Sequence, residues 1–126
     1  MDLRTTIRPV IDHIGSLEYK KGAEKFQNAT IRPIIKMQHD LIMSFFNNYL
    51  VNKKISIIDM NKDQKMALIN KVFKNDHSLM AELRGLIIGH FTVHEFETYT
   101  TMHHESNRRI KVMIKERLLS ILASDL

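Results

Sequence analysis

Cysteine is absent from this chain of 126 residues, which excludes disulfides, thiolate metal ligands and cysteine nucleophiles together. The four glycines build neither a phosphate-cradling loop nor a Gly-x-Ser-x-Gly nucleophile elbow. Long apolar runs are missing as well. No stretch approaches the roughly 20 residues that span a bilayer, and Met1-Asp2-Leu3-Arg4-Thr5-Thr6 has no apolar segment of the secretory kind. The expectation is a cytoplasmic protein with no membrane partner. Like charges never run to five in a row, so the net charge of +5 is spread over a solvated surface and forms no basic arm.

What the chain does have is core-forming material. Its hydrophobic content of 44% suits a globular interior, and its length suits one domain over residues 1–126. Both prolines lie in a repeated hexapeptide, Thr6-Ile7-Arg8-Pro9-Val10-Ile11 and Thr30-Ile31-Arg32-Pro33-Ile34-Ile35. Proline is tolerated in the first turn of a helix, so each copy predicts a helix start. The first helix would run from about Pro9 to Ile14 and stop at Gly15, with Leu17, Tyr19, Ala23 and Phe26 anchoring the polar stretch that follows.

Apolar residues at helical spacing (Ile31, Ile34, Ile35, Leu41, Ile42, Phe45, Tyr49) predict a helix from Thr30 to about Tyr49. The segment Ile55-Ser56-Ile57-Ile58 has no strand to pair with and reads as an apolar connector. Asn61 with Gln64, and Thr92 with Glu95, are capping boxes that open helices, and Asp76 caps a third. After the polar patch Met102 to Asn107, Ile110, Met113, Ile114, Leu118, Ile121 and Leu122 mark one face of a last helix. The fold class that follows is all-α: a single-domain bundle of five or six helices with short connections. Methionines such as Met80 and Met113 read as core filler. Gly85, inside a helix, predicts close approach by another helix or a ligand.

The seven histidines do not build a metal site. The Thr92 box puts His90 in a loop, away from His94; no His-Glu-x-x-His or Glu-x-x-His occurs, and His103 and His104 are expected on different sides of their helix. No metal and no cofactor are expected. The pair of helices around Asp76 resembles a helix-turn-helix in outline, but the second helix offers only Arg84 as a cation. The last helix gathers Arg108, Arg109, Lys111, Lys115 and Arg117, the last placed to pair with a carboxylate.

Two blocks resemble a family of small uncharacterised bacterial helical proteins. One is Phe26 to Lys36 with Gln38, Asp40 and Leu41. The other is Leu83 to Thr92 with Glu95 and Tyr99, continuing through Asn107 to Ile110 and Glu116 to Leu118. The resemblance implies a shared helical fold. It emphasises Gln27, Asn28, Arg32, Gln38, Arg84, His90, Asn107 and Arg108. Some members carry the label glyoxalase, yet the strand-borne His/Glu ligands of such enzymes have no counterpart here.

Three functions follow as expectations. The first is a non-enzymatic module acting as a homodimer or on a protein partner, using Phe46, Leu50 and Val51 as spare apolar surface. The second is a small-anion binder, or a lyase-type enzyme of the glyoxalase-labelled kind, in which Arg32, Arg84, His90 and Arg108 converge on one pocket. Weak nucleic-acid binding through the basic last helix is the third.

Overall fold

Proline lacks the N–H that an α-helix needs, yet Pro33 sits inside a continuous helical run over residues 22–37. The computed structural model describes residues 3–9 and 22–123. In it, α2 (Gly22–Phe26) passes unbroken into a π-helical turn (Gln27–Ile31) and then into α3 (Arg32–Met37). Phe26, Ile31 and Arg32 all keep right-handed helical dihedrals, and the Arg32 N–H reaches back five residues to the Gln27 carbonyl. The wider turn makes room for the proline ring, which an ordinary α-turn would press onto the carbonyl four residues back. The second hexapeptide therefore bulges a helix and does not start one. Upstream lies a single turn, α1 (Leu3–Thr6). The helix expected after Pro9, its stop at Gly15, and Leu17 and Tyr19 lie outside the described residues.

The helix expected from Thr30 to Tyr49 is divided at Gln38, whose dihedrals (φ −90°, ψ 8°) bend the chain before α4 (His39–Asn52). The bend is held from outside, because Gln38 Nε2 donates to the Leu86 carbonyl at 3.2 Å. It also turns Leu41 outward, 45% exposed. Helix α4 ends with two overlapping bonds, Ile55 N–H to the Leu50 carbonyl at 2.9 Å and Lys54 N–H to that of Val51 at 3.0 Å. This is the closure that glycine usually serves, here made with Lys54 at φ 57°. The connector that follows has no strand. Ile55 and Ile57 pack on the core, while Ile58 is exposed.

Both capping boxes form as expected. Asn61 with Gln64 opens α5 (Lys62–Asn75), and Thr92 with Glu95 opens α7 (Val93–Thr101). Asp76 caps α6 (His77–Ile88) by accepting the Leu79 N–H at 3.0 Å. Helix α8 (His103–Leu122) begins earlier than its apolar stripe suggested, because the polar patch itself forms the first turns. The fold is all-α: among the described residues there are six helical runs besides α1, and no strand.

One core unites α2 to α8. Phe46, Phe73, Ile34, Ile42, Leu83, Ile87, Ile110 and Leu118 are among its largest sealed members, and Met80 and Met113 fill in as expected. Phe46 and Leu50, expected as spare apolar surface, are core residues at 0% and 4% exposure; only Val51 of that trio is exposed. They point inward because the helical face they share with Ile42 is the buried one. At the far end of α8, Ile121 is half exposed.

Two substitutions test this backbone. A non-glycine residue in the left-handed region costs about 1–2 kcal/mol, and glycine's extra freedom when unfolded costs about 0.5–1 kcal/mol. Lys54→Gly is therefore expected to stabilise the fold by about 0.5–1 kcal/mol. A Cβ at Gly85 would meet nothing within 4 Å, so the helix contact expected there is absent among the described residues. Gly85→Ala should then gain up to about 1 kcal/mol of helix propensity. Both should raise the urea midpoint at constant slope; an unchanged midpoint in Gly85→Ala would show that something does touch that backbone.

Candidate functional site

Where α6 crosses α8, residues at three- and four-residue spacing on each helix frame a cleft of ≈ 280 Å³. Phe73 from α5, Met80 and Leu83 from α6, and Ile110 and Ile114 from α8 form an apolar floor. Arg84, Asn107, Arg108 and Lys111 stand around it. The floor is core: Phe73, Leu83, Ile110 and Ile114 are each 1% exposed. The rim is cationic and only partly neutralised. Arg108 donates to Glu105 at 2.9 Å on the surface, whereas Arg84 and Lys111 make no ion pair among the described residues. The Tyr99 hydroxyl donates to Asn107 Oδ1 at 2.5 Å, which leaves the amide NH₂ as the free donor end. Among the described residues, no carboxylate lines this cleft. Three further clefts each include at least one: Asp76 in the first, Asp76 with Glu82 in the second, and Glu116 in the third.

The four residues expected to converge do not. Arg84 and Arg108 share the cleft just described. Arg32 lines a separate one between α3 and α8, together with Arg117. His90 sits in the α6–α7 loop as expected, half-buried and lining neither cleft, and its carbonyl accepts from Arg8 at 2.6 Å. The reason is rotation along α8: Arg108 and Arg117 are nine positions apart, which places them on opposite sides of the helix. Asn107 and Lys111 complete the rim. Their four-residue spacing beside Ile110 and Ile114 was the available signal.

Other expected features are also redistributed. The basic face of α8 is broken up, because Arg108 and Arg109 both pair with Glu105. Arg117 meets His39 Nδ1 at 3.2 Å where a carboxylate was expected, and no carboxylate among the described residues reaches it. The rings of His103 and His104, expected on different sides of the helix, lie 4.0 Å apart; both sit exposed in the first turn, where no packing separates them. Among the described residues, no group of three or more His, Cys, Asp or Glu side chains is placed to hold a metal ion.

The most heavily bonded group went unread in the sequence beyond its capping role. Glu95 accepts Arg8 Nη1 at 2.5 Å on Oε2 and Arg8 Nη2 at 2.6 Å on Oε1. It also accepts Thr30 Oγ1 at 3.0 Å and the Thr92 N–H at 2.8 Å. The two side chains of the ion pair are 6% and 14% exposed. Burial pushes the Glu95 carboxyl up, but the bonds from Arg8, Thr92 and Thr30 outweigh it and hold the group below the usual carboxylate range. Arg4 adds a bond to the Phe91 carbonyl at 2.8 Å. The Arg8 and Thr30 that meet on Glu95 come from the two copies of the hexapeptide.

Compared with known proteins, the chain matches no family model, and no curated protein or solved structure is significantly similar to it.

Glu95→Gln isolates the charge, because glutamine also serves in a capping box. Breaking a buried pair costs about 3–5 kcal/mol when the remaining charge is trapped. Arg8 lies outside regular helix and can turn to water, so a loss of about 2 kcal/mol is expected. The sign with pH follows from the depressed carboxyl: its contribution is present above about pH 4.3, the unfolded value, and fades as pH falls through the folded value. Urea melts between pH 7 and pH 3 should show the gap between wild type and Glu95→Gln closing on acidification. A gap constant across that range would show that the Glu95 charge is not what the pair supplies.

Proposed function

We propose that this protein binds a small organic anion with an apolar body, such as a short-chain or aromatic carboxylate, in the α6–α8 cleft. The observation that carries the reading is the pairing of a sealed apolar floor with a rim of Arg84, Arg108, Lys111 and the Asn107 amide, without a carboxylate among the lining residues. An apolar ligand body gains about 25 cal/mol for each Å² removed from water. The charged head gains from an arginine fork and an amide donor at the edge, where it keeps part of its hydration. The volume of ≈ 280 Å³ lies just under the roughly 300–1,000 Å³ of drug-sized pockets, so the ligand is small.

This reading keeps Arg84 and Arg108 from the expected set and leaves Arg32 and His90 out. Neither His90 nor any other histidine among the described residues lines this cleft, so binding is favoured over catalysis. Self-association loses support, since two of the three residues meant to drive it lie in the core. Nucleic-acid binding loses support too, since Glu105 pairs with two cations of the α8 face and offsets one of their charges.

Calorimetric titration with octanoate and with octanol separates the two halves of the site. Octanoate is expected to bind at least about tenfold more tightly, and Arg84→Gln to remove most of that difference, as loss of one charged hydrogen bond of about 1.5–3 kcal/mol requires. Equal affinity for acid and alcohol, or no binding of either, would overturn the proposal.

A further inference from the structure

The second cleft, between α3 and α8, poses an electrostatic problem that the fold leaves open. It measures ≈ 330 Å³ and is lined by Arg32, Ile35, Met113, Glu116, Arg117 and Ser120. Two guanidinium groups face it, and neither has an ion pair among the described residues. Their partners are neutral. Arg32 Nε donates to Asn28 Oδ1 at 3.3 Å. Arg117 Nη1 lies 3.2 Å from His39 Nδ1, and because guanidinium only donates, that nitrogen must accept, with the imidazole proton on Nε2. His39 thus positions Arg117 without balancing its charge.

Two like charges at the mouth of a half-buried cleft repel more strongly than they would in open water. Burial and the Arg32 charge push Arg117 below its usual range. Such an arrangement is stabilised when a counter-anion enters. The donors point to its chemistry, since arginine forks match the tetrahedral oxygens of phosphate and can engage it with paired bonds. The Ser120 hydroxyl donates to the Arg117 carbonyl at 2.9 Å, so it adds no free donor. Glu116, exposed on the rim, opposes the anion.

We propose that the α3–α8 cleft is a phosphate site, in which Arg32 and Arg117 clamp an oxyanion carried either as free phosphate or as the phosphomonoester of a small molecule. The site stands on different residues from the α6–α8 cleft and does not depend on the carboxylate reading.

The test titrates inorganic phosphate, and separately phenyl phosphate, into the protein at constant ionic strength set with sodium chloride. Binding is followed by calorimetry and by thermal shift. Arg32→Gln, which removes a half-buried side chain with a single neutral partner, is expected to weaken phosphate at least about tenfold. Glu116→Gln should tighten it several-fold by removing the opposing charge, an effect that loss of folding cannot imitate. Octanoate affinity should be unchanged in both variants. Phenyl phosphate binding as tightly as phosphate assigns the ligand to the ester class, and its exclusion assigns free phosphate. A thermal shift no larger than chloride produces, or a phosphate affinity indifferent to both substitutions, would overturn the proposal.

Discussion

A carboxylate removed from most of its water must be matched by donors held in place, and in this fold Glu95 is so matched. Arg8, Thr30 and the Thr92 N–H converge on its two oxygens from three separate stretches of chain. The consequences spread outward through contacts. With the α7 cap tied to the π-turn, Phe91 packs edge-on against Phe26, at 5.5 Å between ring centres, and against Tyr99 at 5.7 Å. Tyr99 in turn holds Asn107, whose amide stands on the rim of the α6–α8 cleft. The geometry of that rim is thereby continuous with the Glu95 knot. The network is not complete, because the buried Arg8 Nε has no hydrogen-bond partner among the described residues, but the bonds on Glu95 itself come from fixed positions and favour one arrangement.

The π-turn gives the repeated hexapeptide two uses. In the second copy it accommodates Pro33 without ending the helix, and so carries Thr30 into the interior, 5% exposed, where its hydroxyl reaches Glu95. In the first copy Thr6 ends α1 and Ile7 to Pro9 lie outside regular helix, and it is Arg8 that turns inward. Nearly identical local chemistry therefore turns different residues inward, Thr30 in one copy and Arg8 in the other, because the backbone around each differs.

The arginines divide by what neutralises them. Arg8 is met by a carboxylate in the interior, and Arg108 and Arg109 share Glu105 at the surface. Arg84 stands over an apolar cleft without an ion pair among the described residues, and Arg32 and Arg117 both line a second cleft with only neutral partners. A surface pair such as Arg108–Glu105 contributes little, about 0–1 kcal/mol. The cations without an ion pair among the described residues, Arg32, Arg84 and Arg117, are the ones on which the two proposed anion sites rest.

Local chemistry in the sequence determined a good deal. The capping boxes at Asn61 and Thr92, the cap at Asp76, the stripe of Ile110, Met113, Ile114 and Leu118, and the all-α class each depend on residues within one or two turns, and each forms as the sequence predicts. Tertiary structure decided the rest. The π-turn depends on how Pro33 is carried through a packed helix, and the bend at Gln38 on a carbonyl of α6 that lies 48 residues away in sequence. The burial of Phe46 and Leu50 was open in the sequence because an apolar residue near a helix end can serve a core or an interface equally well. The grouping of side chains was the least legible: Arg84 joins Arg108, Arg32 joins Arg117, and Arg8 meets Glu95 only once helices are rotated and stacked. Side-chain identity sets what each group can bind, but the rotation of α8 against α3 and α6, fixed by packing over the whole core, sets which groups stand together.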